Sequence, residues 1–91
     1  MVVNIFVVLT YDVEVKKVNK VRKLLKKYLV WTQNSVFEGE ITEGKLQKCL
    51  SQVGKIIDKN EDSIYIYIVE NPKNIVKNKL GKEKALDELI L

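Results

Sequence analysis

The chain has 91 residues, of which 46% are hydrophobic and 31% are charged, with no histidine and a net charge of +4. This balance fits one small globular domain, and the absence of histidine excludes Ser-His and Cys-His nucleophile pairs and zinc sites that need imidazole. No apolar run approaches the roughly 18–20 residues that span a bilayer, and the apolar stretch 2–9 lacks a basic leader and a cleavage site, so we expect a cytoplasmic protein without membrane contact.

The first predicted element is a strand over residues 2–11, because β-branched and aromatic side chains alternate along it. One face of this strand carries Val3, Ile5, Val7, Leu9 and Tyr11. Phe6 and Val8 make the second face largely apolar as well, which is typical of a central strand covered on both sides.

From Val15 the apolar residues follow the period of a helix, which we expect to end near Tyr28–Leu29. Its apolar stripe consists of Val15, Val18, Val21, Leu24, Leu25 and Tyr28. The remaining surface is mostly basic, with Lys16, Lys17, Lys20, Arg22, Lys23, Lys26 and Lys27. All of these except Lys26 are candidate nucleic-acid ligands, because one sign of charge along a helix favours contact with phosphates; an ordinary solvated face is the alternative.

Residues 30–41 contain further strand-forming residues, and their pattern fits either one bent strand or a tight hairpin that turns at residues 33–35. Gly39 indicates a bulge. Two aromatic residues, Trp31 and Phe37, lie in this segment. Packing in the core or in a dimer interface is the first interpretation of both side chains, and stacking on a nucleobase is the alternative.

A second helix follows, with Thr42 as its N-cap and Glu43 complementing its dipole. Its apolar stripe extends from Leu46 to Ile57 and includes Cys49. A lone cysteine cannot form an internal disulfide, so we expect a buried thiol rather than a reactive nucleophile.

A polar turn at residues 58–62 leads into another strand over Ser63–Val69. The order strand, helix, extended pair, helix, strand matches the split βαβ, ferredoxin-like arrangement, an α+β fold with an antiparallel sheet, which we assign to residues 1–70. Two helices cover only one face of such a sheet. The apolar residues on the other face therefore predict a homodimer that forms through the sheet face.

Residues 71–91 carry no recognisable motif. Pro72 ends the strand pattern, residues 74–80 fit a short edge strand, and residues 82–91 have apolar side chains at helical spacing. We expect this segment to form an edge strand and a tail, with packing on the partner subunit as one option.

Asp12 ends the first strand and has two interpretations. Asp is a frequent N-cap at a strand-to-helix junction. Asp is also a Mg²⁺ ligand, and Mg²⁺ often takes only one or two carboxylates together with waters and substrate phosphates. In a two-fold dimer, two copies of Asp12 could meet, and a cation between them would relieve their repulsion.

Two segments together resemble a known family. Tyr11 and Asp12 form the first segment, and after the basic helix come Gln33, Ser35, Val36, Phe37, Glu38 and Gly39. This pattern is similar to that of the CRISPR-associated endoribonuclease-type adaptation proteins, the second of the two core adaptation proteins of CRISPR systems. Many relatives carry Arg two residues before the Gln, where this chain has Trp31.

The resemblance implies a ferredoxin-like homodimer in which Asp12 is catalytic and binds Mg²⁺ with its dimer mate. It implies metal-dependent cleavage of single-stranded RNA or double-stranded DNA. Beside it, we take Tyr11 and Ser35 as candidate orienting groups and expect Glu38 to be a structural carboxylate rather than a catalytic one. The resemblance also implies a complex with the CRISPR integrase during spacer acquisition. The alternative is a non-catalytic, DNA-binding dimeric scaffold for spacer integration, in which Asp12 is only a cap and nuclease activity is dispensable.

Overall fold

The computed structural model describes residues 4–69, which form four strands and two helices. In chain order the elements are β1 (Asn4–Asp12), α1 (Val15–Leu25), β2 (Val30–Gln33), β3 (Val36–Thr42), α2 (Glu43–Gly54) and β4 (Ser63–Val69). This order confirms the predicted ferredoxin-like α+β fold, and residues 30–41 form a hairpin rather than a bent strand. The expected edge strand over 74–80 and helix over 82–91 lie outside the described residues.

The four strands form one antiparallel sheet in the order β2-β3-β1-β4. Strand β1 pairs with β3 on one side and with β4 on the other, and its last residue, Asp12, lies opposite Ser63. Directly opposite residues of an antiparallel pair point to the same face of the sheet. Strand β1 is therefore central in the sheet as predicted.

Both helices cover the same side of the sheet, which we call the helix face. The buried cluster between them and the sheet comprises Val7, Leu9, Tyr11, Val21, Leu25, Leu29, Phe37, Ile41, Leu46, Cys49 and Val53. Phe37 is fully buried opposite Leu9, which confirms its predicted place in the core. Burial of one such side chain contributes roughly 1.5–3 kcal/mol to folding.

The second helix follows its prediction closely. The Oγ1 of Thr42 accepts a hydrogen bond of 3.2 Å from the backbone nitrogen of Lys45, so Thr42 is the N-cap of α2. Cys49 is fully buried in α2, and burial raises the pKa of its thiol to about 11. The thiol therefore stays protonated at neutral pH, which confirms the expectation of a buried, unreactive cysteine.

The first helix begins at Val15 as predicted, but its predicted end and the predicted place of Val15 in the apolar stripe were wrong. Val15 is 90% exposed, so the buried stripe does not include it. The helix ends at Leu25 rather than near Tyr28, because the backbone tightens there: the Tyr28 nitrogen donates to the Leu25 oxygen, three residues back, at 2.9 Å. This turn brings the Tyr28 hydroxyl to the Oε1 of Gln52 in α2, to which it donates at 2.8 Å.

The predicted bulge at Gly39 was also wrong. Gly39 pairs with Val7 without a register shift, and the irregularity lies in β2, between Trp31 and Gln33. Gly39 has a φ of +154°, which favours glycine.

The other side of the sheet, which we call the open face, carries Phe6 and Val8 of β1 and Tyr65 and Tyr67 of β4. Phe6 and Val8 are partly buried, whereas Tyr65 and Tyr67 are 58% and 56% exposed. Both helices pack against the helix face, so neither shields these aromatic rings. Within residues 4–69, neither helix has the length and apolar character needed to cross a bilayer.

Candidate active site and nucleic-acid interface

Asp12 lies at the end of β1, on the open face, with its side chain exposed. Helix α1 begins only at Val15, and its N-cap residue is Glu14, which makes no side-chain cap bond. The interpretation of Asp12 as an N-cap is therefore wrong, because two residues separate it from the helix. Within residues 4–69 the Asp12 carboxylate makes no hydrogen bond or ion pair, so its oxygens face solvent.

The two sequence segments that carry the family resemblance meet at the β2–β3 turn. The backbone nitrogen of Tyr11 donates to the Ser35 carbonyl at 3.1 Å, and the Tyr11 hydroxyl donates to the Asn34 carbonyl at 3.3 Å. Asn34 has a φ of 21°, a conformation that Asn adopts more readily than most residues. Tyr11 and Ser35 thus hold the turn against the end of β1, one residue before Asp12.

Trp31 bonds to the same turn. Its indole Nε1 donates to the Asn34 carbonyl at 2.9 Å, so one oxygen accepts hydrogen bonds from both Trp31 and Tyr11. Trp31 is 38% exposed and does not belong to the buried cluster. Core packing, one of the interpretations of both aromatic residues of this segment, is correct for Phe37 and wrong for Trp31.

On the side of Asp12 next to β4, the buried carboxylate of Asp62 accepts several hydrogen bonds. It accepts hydrogen bonds from the Lys17 Nζ at 2.7 Å, the Asp58 nitrogen at 2.8 Å and the Glu14 nitrogen at 3.0 Å. The bond from the Asp58 backbone, followed by that from Lys17, lowers the pKa of Asp62 to about 2. Asp62 immediately precedes Ser63, the cross-strand neighbour of Asp12, so this network ties the start of α1 to the start of β4 beside the candidate site.

Sequence reasoning missed this network and treated residues 58–62 as a polar turn. Lys17 was expected to contact phosphates, but it forms ion pairs with Asp62 and, at 3.1 Å, with Glu14. The partners Lys17 and Asp62 are 45 residues apart, and nothing in the local sequence indicates that the two side chains meet.

The other candidate phosphate ligands of the basic helix separate into two groups. One group is exposed and spaced by four, three and four residues, which places it along one side of α1 and the turn after it; it consists of Lys16, Lys20, Lys23 and Lys27. Arg22 belongs to the second group: its guanidinium carbon lies 4.9 Å from the centre of the Trp31 ring, and the Lys26 Nζ lies 5.5 Å from it. Lys26 was not among the candidate nucleic-acid ligands, and its contact with the Trp31 ring could not be predicted from the sequence.

The donor set at the end of β1 fits a hard divalent cation only in part. The oxygens of a free carboxylate are ligands that Mg²⁺ prefers, and Asp12 offers such a carboxylate. Residues 4–69 hold no group of three or more acidic, cysteine or histidine side chains placed to bind a metal. Within residues 4–69, Asp12 is therefore not part of a three-ligand cluster that would by itself complete the coordination of Mg²⁺.

Comparison with known proteins gives the following similarities. The family model described as CRISPR associated protein Cas2 matches residues 5–74. The chain is 56% identical over 86 residues to the CRISPR-associated endoribonuclease Cas2 3 of Thermodesulfovibrio yellowstonii, covering 94% of this chain and 98% of that protein. It is 41% identical to the CRISPR-associated endoribonuclease Cas2 of Methanothermobacter thermautotrophicus, with both chains covered completely.

Solved structures agree with this result. A crystal structure of Cas2 superposes with a TM-score of 0.81 at 40% identity, covering 98% of this chain and 100% of that one. The structure of Streptococcus pyogenes Cas2 at pH 6.5 superposes with a TM-score of 0.73 at 34% identity, covering 84% of this chain and 99% of that one.

Proposed function

Because this chain belongs to the Cas2 family of CRISPR-associated proteins, we propose that it is a Mg²⁺-dependent endonuclease that acts in spacer acquisition. The relatives from T. yellowstonii and M. thermautotrophicus carry the name endoribonuclease, and our proposal for this chain includes phosphodiester bonds of single-stranded RNA or double-stranded DNA. One observation carries it: the Asp12 carboxylate is exposed, without an intrachain partner in residues 4–69, at the end of the central strand.

The proposed active form is a homodimer that buries the open face of each subunit. Tyr65 and Tyr67 are more than half exposed there, and Phe6 and Val8 add apolar area beside them. Aromatic rings of this size are enriched in protein interfaces. A second copy of the chain presents the same surface, so a two-fold interface is self-complementary and brings a second Asp12 into the assembly.

In the mechanism we propose, the chain's own residues bind and orient the nucleic acid. The Asp12 carboxylates would hold the metal, and bound Mg²⁺ would polarise a phosphate oxygen and lower the pKa of a coordinated water. Lys16 and Lys20, one turn apart near the start of α1, attract the phosphates of the strand. Tyr11 and Ser35 keep the β2–β3 turn in place through the hydrogen bonds described above, so their role is to position the turn beside Asp12.

The first test is Asp12→Asn, which keeps the size of the side chain and removes its charge. We expect Mg²⁺-dependent cleavage of labelled single-stranded RNA and duplex DNA to disappear, while the affinity for both, measured in EDTA, changes less than about twofold. Because the Asp12 carboxylate has no contacts within residues 4–69, the variant should fold like the parent. The matched control is Glu61→Gln, which neutralises an exposed carboxylate in the loop before β4. Equal cleavage by the parent and Asp12→Asn would refute the nuclease assignment.

A second candidate function, a DNA-binding scaffold that works with the CRISPR integrase, is favoured by the exposed lysine row of α1. Here we expect the pair Lys20→Glu and Lys23→Glu to weaken duplex binding and to reduce the slope of log affinity against log salt by about 0.9 for each lost phosphate contact. The control pair, Lys45→Glu and Lys48→Glu, reverses exposed lysines at the same spacing on α2. An unchanged slope for the α1 pair, measured with and without the integrase, would contradict the scaffold function.

A further inference from the structure

We infer that Trp31, Arg22 and Lys26 form a subsite for one unpaired nucleotide, in which the base stacks on the indole ring and the phosphate lies between the two cations. The inference rests on the proposed nucleic-acid function. It adds that the subsite binds a single-stranded segment of the nucleic acid.

The indole ring is held in a fixed orientation while part of it stays exposed. Its Nε1 is bound to the Asn34 carbonyl at 2.9 Å, and that carbonyl is also held by the Tyr11 hydroxyl. Phe37 lies opposite Trp31 in β3 and is fully buried, so the indole is at the edge of the hydrophobic core. A fixed aromatic ring that is 38% exposed offers a stacking surface with little side-chain entropy left to lose.

The two cations at the ring have no acidic partner among residues 4–69. Arg22 and Lys26 are one helical turn apart and lie over the Trp31 ring, at 4.9 Å and 5.5 Å from its centre, so a base stacks on the part of the indole that they leave exposed. Neither cation forms an ion pair within residues 4–69. The buried Nε of Arg22 makes no hydrogen bond there either. Together with Asn19 and Lys23 they line a shallow depression on α1. Positive charge that has no carboxylate partner within residues 4–69, placed at an exposed aromatic ring, matches the two parts of a nucleotide, its phosphate and its base.

The position of the ring favours a flexible strand over a duplex. Asp12 lies on the open face, whereas Trp31 and α1 lie on the helix face, and both are next to the β2–β3 turn end of the sheet. A strand that reaches both must pass around this end of the sheet. Bases of a duplex are paired and stacked within the helix, so a duplex offers the subsite phosphates only.

Trp31 is the single tryptophan of the chain, so its fluorescence reports on this subsite alone. The experiment titrates the full-length protein, in EDTA, with a dye-labelled single strand, with a blunt duplex of the same sequence, and with an abasic strand of the same length. Anisotropy of the dye measures binding, and Trp31 emission measures contact. We expect quenching by the single strand, and no comparable quenching by the duplex or the abasic strand, even where anisotropy shows that they bind.

Variants separate the base contact from the phosphate contact. Trp31→Ala should weaken binding of the single strand about 5- to 100-fold and Trp31→Phe should restore most of it, since a ring remains. Duplex affinity should change less than about twofold in both. Lys26→Ala should weaken the binding of all three ligands, whereas the control Lys48→Ala on α2 should not. Circular dichroism checks the fold of each variant, and Trp31→Phe carries the comparison if Trp31→Ala unfolds.

The outcomes separate this subsite from the proposed function. The subsite would be overturned if the single strand bound without quenching Trp31 emission, or if the abasic strand quenched it as much as the single strand does. It would also be overturned if Trp31→Phe weakened single-strand binding as much as we expect of Trp31→Ala. In those cases the nucleic-acid function would stand, because anisotropy still reports binding. Absence of binding by every ligand would overturn both.

Discussion

The two faces of β1 differ in how far the helices of the same chain cover them. On the helix face, Val7, Leu9 and Tyr11 are at most 4% exposed, because α1 and α2 of the same chain cover them. On the open face, Val8 is only partly buried and Asp12 is exposed. The two helices therefore bury β1 on the helix face, although Ile66 and Ile68 of β4 on that face are 36% and 57% exposed. The candidate catalytic carboxylate belongs to the open face. The buried core and the candidate catalytic residue thus lie on opposite sides of one strand, so substitutions can test stability and the proposed activity separately.

The largest effect on stability is expected on the helix face. Phe37→Ala removes a fully buried ring from the core, and we expect the free energy of unfolding to fall by about 3–5 kcal/mol. That is a large part of the roughly 5–15 kcal/mol that stabilises a typical domain. Urea unfolding followed by circular dichroism measures the change. The control is Val30→Ala on β2, where the side chain is 65% exposed; similar losses for both variants would remove the distinction between the faces.

The second prediction concerns Asp62, which ties the helix layer to β4 beside Asp12. Hydrogen bonds lower its pKa from 3.8 to about 2, so its ionised form stabilises the folded state above the unfolded pKa. This stabilisation is lost as the pH falls from about 4 to about 2. Asp62→Asn should therefore lower the Tm at neutral pH, and the difference in Tm between parent and variant should shrink over that acidic range.

Thermal unfolding at pH 7, pH 4 and pH 2.5 tests this dependence. The other carboxylates titrate in both proteins, so the difference between parent and variant isolates Asp62. Glu61→Gln changes the neighbouring, exposed carboxylate and should show no such trend. A Tm difference that is the same at all three pH values would mean that Asp62 stabilises the fold without its charge.

The elements of the fold could be predicted wherever local periodicity decides the structure. Strand β4 covers the predicted residues Ser63–Val69 because β-branched and aromatic residues alternate between two turns. Helix α1 was predicted too long because Tyr28 continues the apolar spacing, although the backbone leaves the helix after Leu25 to bring the Tyr28 hydroxyl to Gln52. The spacing of apolar residues predicts a helix but does not predict the residue at which a tertiary contact ends it.

The candidate site could be predicted only in part, for the same reason. The prediction of Asp12 as a site residue came from its place at the end of a strand and from the family resemblance, and the structure places its side chain in an exposed position. The contacts that surround it were not found, because they join distant segments: Lys17 reaches Asp62 across 45 residues, and Arg22 meets Trp31 only after the chain has turned from helix to strand. Local patterns place residues on elements, while the packing of elements decides which side chains meet.

The smallest effect on the unfolding of a single chain is expected on the open face. Tyr67 is 56% exposed and lies opposite Val8, so Tyr67→Lys should change the stability of the monomer by about 0.5 kcal/mol or less. Its effect should appear in assembly, because a lysine on each subunit would place like charges in the proposed two-fold interface. Sedimentation across a range of protein concentrations should show a dimer for the parent and a monomer for the variant.

The same variant decides whether the incomplete face matters for activity. If two Asp12 carboxylates hold one Mg²⁺, loss of the dimer should remove Mg²⁺-dependent cleavage even though Asp12 itself is unchanged. Addition of excess metal should not restore the activity, because the monomer lacks the second carboxylate that the metal site needs. A monomeric Tyr67→Lys protein that cleaves as fast as the parent would mean that one Asp12 is sufficient. The open face would then serve assembly alone, and the two faces of β1 would differ in what covers them but not in what catalysis requires.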